Sequence, residues 1–105
     1  MNNKALSMLS IAAKAGKVSS GAFMSEKSIQ QQLACLVIIA ADASKNTLKK
    51  FTDKCKYYEI PYVVMSDGET LGRLIGKQSR MVLTINDEGL ANQITARCDS
   101  KDMEV

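Results

Sequence analysis

Helices alternating with short apolar strands predict an α/β fold, a three-layer α-β-α sandwich in a single domain spanning 1–105. Three observations point there. Leu36-Val37-Ile38-Ile39-Ala40-Ala41 is an uninterrupted, branched run, the pattern of a strand buried on both faces, which needs helices above and below it. Segments with apolar residues at helical spacing stand before and after that run. The chain has 105 residues, 46% apolar and 24% charged, with one Pro and six Gly, as one ordinary globular domain has.

Asn3–Lys14 places Ala5, Met8, Leu9, Ala12 and Ala13 on one face, and Gly16 ends the helix. Lys17–Ser20 reads as a short extended piece. Ser19 or Ser20 is the expected cap of a second helix from about Gly21 to Gln32, with Ala22, Ser25, Ile29 and Leu33 as its core stripe. After the Leu36–Ala41 strand, Asp42-Ala43-Ser44 supplies a turn and N-cap. The third helix then lines Leu48, Phe51, Cys55 and Tyr58 along one side, with five lysines elsewhere. Pro61 closes that excursion and Tyr62–Met65 is the next strand. Ser66-Asp67-Gly68 turns into a short helix over Glu69–Gly76. Met81–Ile85 is the fourth strand, and Asn86 or Asp87 caps a last helix toward Cys98. Residues 98–105 read as a frayed end. Periodicity does not set the order or direction of the strands.

Composition removes most enzyme chemistry. Histidine is absent, which excludes Ser-His-Asp and Cys-His catalysis, imidazole acid–base shuttles and histidine metal sites. Cys35, Cys55 and Cys98 form no C-x-x-C pair, so neither a disulfide framework nor a thiolate zinc site is expected. Gly16-Lys17-Val18-Ser19 is no phosphate loop, because Ile11 stands where such a loop needs glycine. Asp42 lacks a partner acid or base and reads as a turn or cap residue. Gly72 and Gly76 read as sites of close packing or a helix end. The expectation is therefore a protein without catalytic residues, metal or cofactor. The longest apolar run falls far short of a membrane span, and the opening residues lack a signal-peptide pattern, so the expected compartment is the cytoplasm.

Net charge is +3, spread unevenly: +3 over residues 1–27, +3 over 28–58, zero over 59–80 and −3 over 81–105. A basic N-terminal half suits a polyanionic partner, although a solvated surface gives the same count. The start of the second helix is more specific. Phe23, Met24 and Lys27 fall off the predicted core stripe and share one side of the helix. The free N–H groups at Gly21–Met24 and the Lys27 charge favour an anion, while Phe23 and Met24 offer a surface for an unpaired base. Packing of Phe23 and Met24 under a neighbouring loop is the alternative. A second candidate is the loop Lys77-Gln78-Ser79-Arg80, followed by Met81, whose two cations fit phosphate contact; an ordinary polar turn has the same composition.

Taken in order, Leu36–Ala43, Cys55–Tyr62 and Leu71–Gly76 resemble segments of the ribosomal protein L7Ae/L30e superfamily of kink-turn RNA binders. Lys14–Gly21 and Asp42–Thr47 are most similar to its bacterial YlxQ-like branch. The resemblance covers roughly residues 5–95 and implies a mixed four-stranded sheet. It also implies RNA binding at the start of the second helix and at the loop before the last strand. In kink-turn binders that helix begins G-x-N-E-x-x-K. Gly21 and Lys27 match, whereas Phe23 and Met24 stand at the Asn and Glu positions and cannot hydrogen-bond guanine edges as those do. The expected partner is structured RNA, of the kink-turn or ribosomal kind, bound by a monomer through Lys17, Gly21, Phe23, Met24, Lys27, Lys77, Gln78, Ser79, Arg80 and Met81. A ribosome-, ribonucleoprotein- or translation-associated role follows from the same resemblance. A protein-interaction module that uses Phe23 and Met24 as anchors is the second hypothesis.

Overall fold

A computed structural model describes residues 3–98 and 103–104. The elements run α1 (Asn3–Lys14), β1 (Val18–Ser20), α2 (Ala22–Gln30), β2 (Leu36–Ile39), α3 (Lys45–Tyr58), β3 (Tyr62–Val64), α4 (Gly68–Leu74), β4 (Val82–Ile85), α5 (Glu88–Arg97) and β5 (Met103–Glu104). The sheet order is β1-β4-β2-β3-β5. β4 is antiparallel to both β1 and β2, β2 and β3 are parallel, and β5 runs antiparallel to β3. The mixed four-stranded sheet thus carries a two-residue fifth strand. Met103 and Glu104 pair with Val63 and Tyr62, where the sequence reading expects a frayed end. The rest of that expected tail, beyond Cys98, lies outside the described residues.

Alternation along β2 divides the core. Leu36 and Ile38 join α1, α4 and α5 on one face, together with Val63, Leu83 and Ile85. Val37 and Ile39 face α2 and α3, meeting Ile29, Phe51, Cys55 and Tyr62. All four β2 side chains are buried, as a strand covered on both sides requires.

Each helix end has a local cause. Gly16, at φ +73, closes α1, with its N–H donating to Ala13 O and the Lys17 N–H to Ala12 O. That is a Schellman cap, so Gly16-Lys17 is a helix terminator. Ser44, Asp67 and Asp87 cap α3, α4 and α5 through side-chain oxygens that accept from Thr47, Thr70 and Leu90 N–H. α2 departs from expectation. Its cap is Gly21, which has no side chain to donate or accept, while Ser19 and Ser20 bond elsewhere. Its buried positions are Ser25, Ser28 and Ile29, and Ala22 and Leu33 are exposed. Leu33 misses the stripe because the helix ends at Gln30 and Gln32 turns left-handed at φ +60. Leu48 of α3 is also exposed, at 36%, leaving Phe51 and Cys55 as that helix's buried pair.

Candidate nucleic-acid interface

β1 ends at Ser20, and Gly21 then takes φ +86, which only glycine adopts at little cost. Its N–H donates to Val82 O at 2.9 Å, so the α2 N-terminus is fixed against the start of β4. The N–H groups of Ala22, Phe23 and Met24 have no acceptor inside the helix, and among the described residues no side chain caps them. They open, with the positive end of the helix dipole, onto a groove of about 490 Å³. Phe23 and Met24 form one wall and are 76% and 47% exposed. Neither packs under a neighbouring loop.

Ser79, Arg80 and Met81 form the opposite wall. The Arg80 guanidinium is held by the Gln78 and Ser79 carbonyls (3.3 and 3.0 Å) and by Ser20 Oγ (3.4 Å). Among the described residues no carboxylate pairs with it or lines the groove. The acidic residue nearest in sequence, Glu26, is engaged by Lys50 and Lys54, each at 3.1 Å. Hydrogen bonds from those two ammonium groups lower the Glu26 pKa. Glu26 thus ties α2 to α3 as a neutralised charge and does not oppose an anion in the groove.

Below the groove, α2 is tied to the sheet by polar contacts. Asn86 Nδ2 donates to Ser19 Oγ (2.9 Å), and Ser28 Oγ and Thr84 Oγ1 donate to Asn86 Oδ1 (3.1 and 3.0 Å). Ser25 Oγ adds a bond of 3.4 Å to Val82 O.

Of the ten residues expected from sequence, the groove brings together Gly21, Phe23, Met24, Ser79, Arg80 and Met81. Gln78 contributes its carbonyl to Arg80. Lys27 lies one turn along α2 from Phe23 and Met24, and Lys77 lies where α4 meets the turn; both are exposed. Lys17 is elsewhere. Its carbonyl accepts from Asn86 N–H at the far end of β1, roughly 10 Å along the strand from Ser20. Thr47, Ser20, Ala22 and Val82 also line the groove, and of these Thr47 has no place in the site read from sequence. Thr47 arrives because Ser44 caps α3 and starts its first turn there; helical periodicity carries no signal for it.

Two larger depressions, of about 640 and 530 Å³, lie around Tyr57–Pro61 at the other end of α3. Both include Glu59 and neither has a helix N-terminus, so an anion is better served by the groove. No group of three His, Cys, Asp or Glu side chains suited to a metal occurs among the described residues. No helix among them is long and apolar enough to cross a membrane.

Comparison with known proteins agrees with this architecture. The chain is 44% identical over 92 residues to the RNA-binding protein YlxQ of Bacillus subtilis (strain 168), covering 88% of this chain and 92% of that protein. It is 37% identical over 90 residues to the RNA-binding protein YlxQ of Enterococcus faecium, with 86% of each covered. A solved protein of unknown function from Bacillus halodurans superposes with a TM-score of 0.85 at 39% identity, over 89% of this chain and 94% of that one. The 15.5kD RNA binding protein of Giardia lamblia gives a TM-score of 0.79 at 26% identity, over 90% and 81%. Residues 3–95 match the model of the ribosomal protein L7Ae/L30e/S12e/Gadd45 family. The chain belongs to that family, in its YlxQ-like branch.

Proposed function

We propose that this is a non-catalytic, cytoplasmic RNA-binding protein that acts as a monomer on structured RNA of the ribosome or translation apparatus. One observation carries the reading: uncapped helix N–H groups, an exposed phenyl ring and the Arg80 guanidinium converge on one groove, and among the described residues no carboxylate pairs with Arg80 or lines it. Phosphate oxygens suit the amide groups and Arg80, with Lys27 and Lys77 as flanking cations. Phe23 supplies a stacking face for a base that is not paired. The RNA-binding relatives and the family's ribosomal members support the same class of partner. An RNA with a bulged nucleotide, as in a kink-turn, suits the groove better than a continuous duplex, whose bases are all stacked.

The test is fluorescence anisotropy with a labelled kink-turn RNA and with the same stem fully paired. The bulged RNA should bind more tightly, and Lys27→Glu should weaken binding of both. Equal binding of the two RNAs would remove the stacking role, and full binding by Lys27→Glu would remove this placement of the site.

Exposure of Phe23 and Met24 also suits a protein anchor, the second reading. A protein partner retained after nuclease treatment and lost with Phe23→Ala would favour it. Arg80 and the bare helix N-terminus favour nucleic acid.

A further inference from the structure

The cationic turn at 77–81 is shaped by a seat that no local pattern in the turn itself supplies. α4 presents Gly68 and Gly72 one helical turn apart, and the chain after α4 folds back along them. The Lys77 N–H donates to Gly72 O at 2.8 Å and the Arg80 N–H to Gly68 O at 2.9 Å. A Cβ on Gly72 would run into the Gln78 carbonyl group, one of the two that hold the Arg80 guanidinium. A Cβ on Gly68 would stand 2.6 Å from Met81 Cε and 2.8 Å from Ser79 Oγ. Both glycines have ordinary backbone angles, so the requirement is space. The start of α4 is in turn latched to the loop after β2. Asp42 Oδ1 accepts from the Gly68 N–H at 2.9 Å, and Ser66 O accepts from the Ala41 N–H at 2.9 Å.

We propose that Asp42, Gly68 and Gly72 are positioning residues for the RNA site: they fix the height at which the 78–81 backbone passes α4, and so set the distance from Arg80 to the α2 N-terminus. This rests on the RNA-binding reading above. None of the three lines the groove, so each acts only through the turn. An exposed carboxylate on the loop after β2 is thereby explained as a latch.

The experiment is a binding cycle with the kink-turn RNA at several salt concentrations, using the parent chain, Arg80→Gln, Gly72→Ala, Asp42→Ala and each double variant with Arg80→Gln. Arg80→Gln should weaken binding about ten-fold and reduce the magnitude of the log–log salt slope by about 0.7–0.9, the loss of one phosphate contact. Gly72→Ala should do the same, Asp42→Ala to a smaller degree, and neither should weaken binding further once Arg80 is gone. A variant that is merely less stable would keep the parent's slope at a temperature where it is folded. Should Gly72→Ala not fold, the exposed Asp42→Ala carries the test. Parent-like slopes in the folded variants, or losses that multiply with Arg80→Gln, would overturn the positioning role while leaving RNA binding intact. Failure of the parent to bind would overturn the RNA-binding reading, no effect of Arg80→Gln would overturn only its placement of the site, and either result removes this inference.

Discussion

Phe23 places an aromatic ring in water at the first turn of a helix whose core positions lie elsewhere. The ring adds nothing to the core, so Phe23→Ala should leave thermal stability within about 0.5 kcal/mol of the parent. Affinity for a bulged RNA should fall by about 1–3 kcal/mol, the usual worth of one base stacked on an aromatic side chain. Anisotropy titration alongside a melting curve measures both. Cys55 is the opposite case. Burial pushes its thiol pKa up to about 12, so iodoacetamide at about pH 8 should modify Cys55 only after unfolding, as peptide mass mapping would show. That Phe23 and Met24 leave the Ser25–Ile29 side was legible in sequence from helical spacing, whereas their exposure, against packing under a neighbouring loop, was settled only by the structure. Ser28 was not legible: a serine carries no apolar signal, and its burial depends on Asn86, distant in sequence.

At the scale of elements, α2 carries half of the site and is held by the asparagine-centred contacts on one side and Glu26 on the other. Asn86→Ala would leave the Ser19, Ser28 and Thr84 hydroxyls short of partners, at a cost of about 1–3 kcal/mol in chemical unfolding. The partly exposed Glu26 bridges should matter less, with Glu26→Gln costing about 0.2–1 kcal/mol. The bounds of α1 were legible because Ala5, Leu9 and Ala12 mark one face and Gly16 stops it. Those of α2 were not, since a positive-φ glycine starts it and Ser19 and Ser20 serve the asparagine and Arg80 instead of capping. β5 has two residues, too few for any periodicity, and its partner lies about forty positions away.

For the whole molecule, two sheet faces and two helical layers follow from LVIIAA, and that much was legible. The β1-β4-β2-β3 order was not, because each neighbour is chosen by packing across tens of residues. With no histidine, stability should change little between about pH 5.5 and 8. It should fall in acid. Asp67 has its pKa lowered by the Thr70 N–H and hydroxyl, and Glu26 by its lysines. A carboxylate depressed in the folded state stabilises above its unfolded pKa, and that contribution is lost as pH falls through the folded value. Melting temperature should therefore drop below about pH 4.5. RNA binding, if carried by Lys27, Lys77 and Arg80, should show a log–log salt slope of about −2 to −3.

The most direct test of the interface is an NMR titration of the isotopically labelled protein with kink-turn RNA. Amide shifts concentrated at Gly21–Met24, Thr47 and Lys77–Met81 are the expected result. Shifts gathered around Tyr57–Pro61, or none at all, would contradict it.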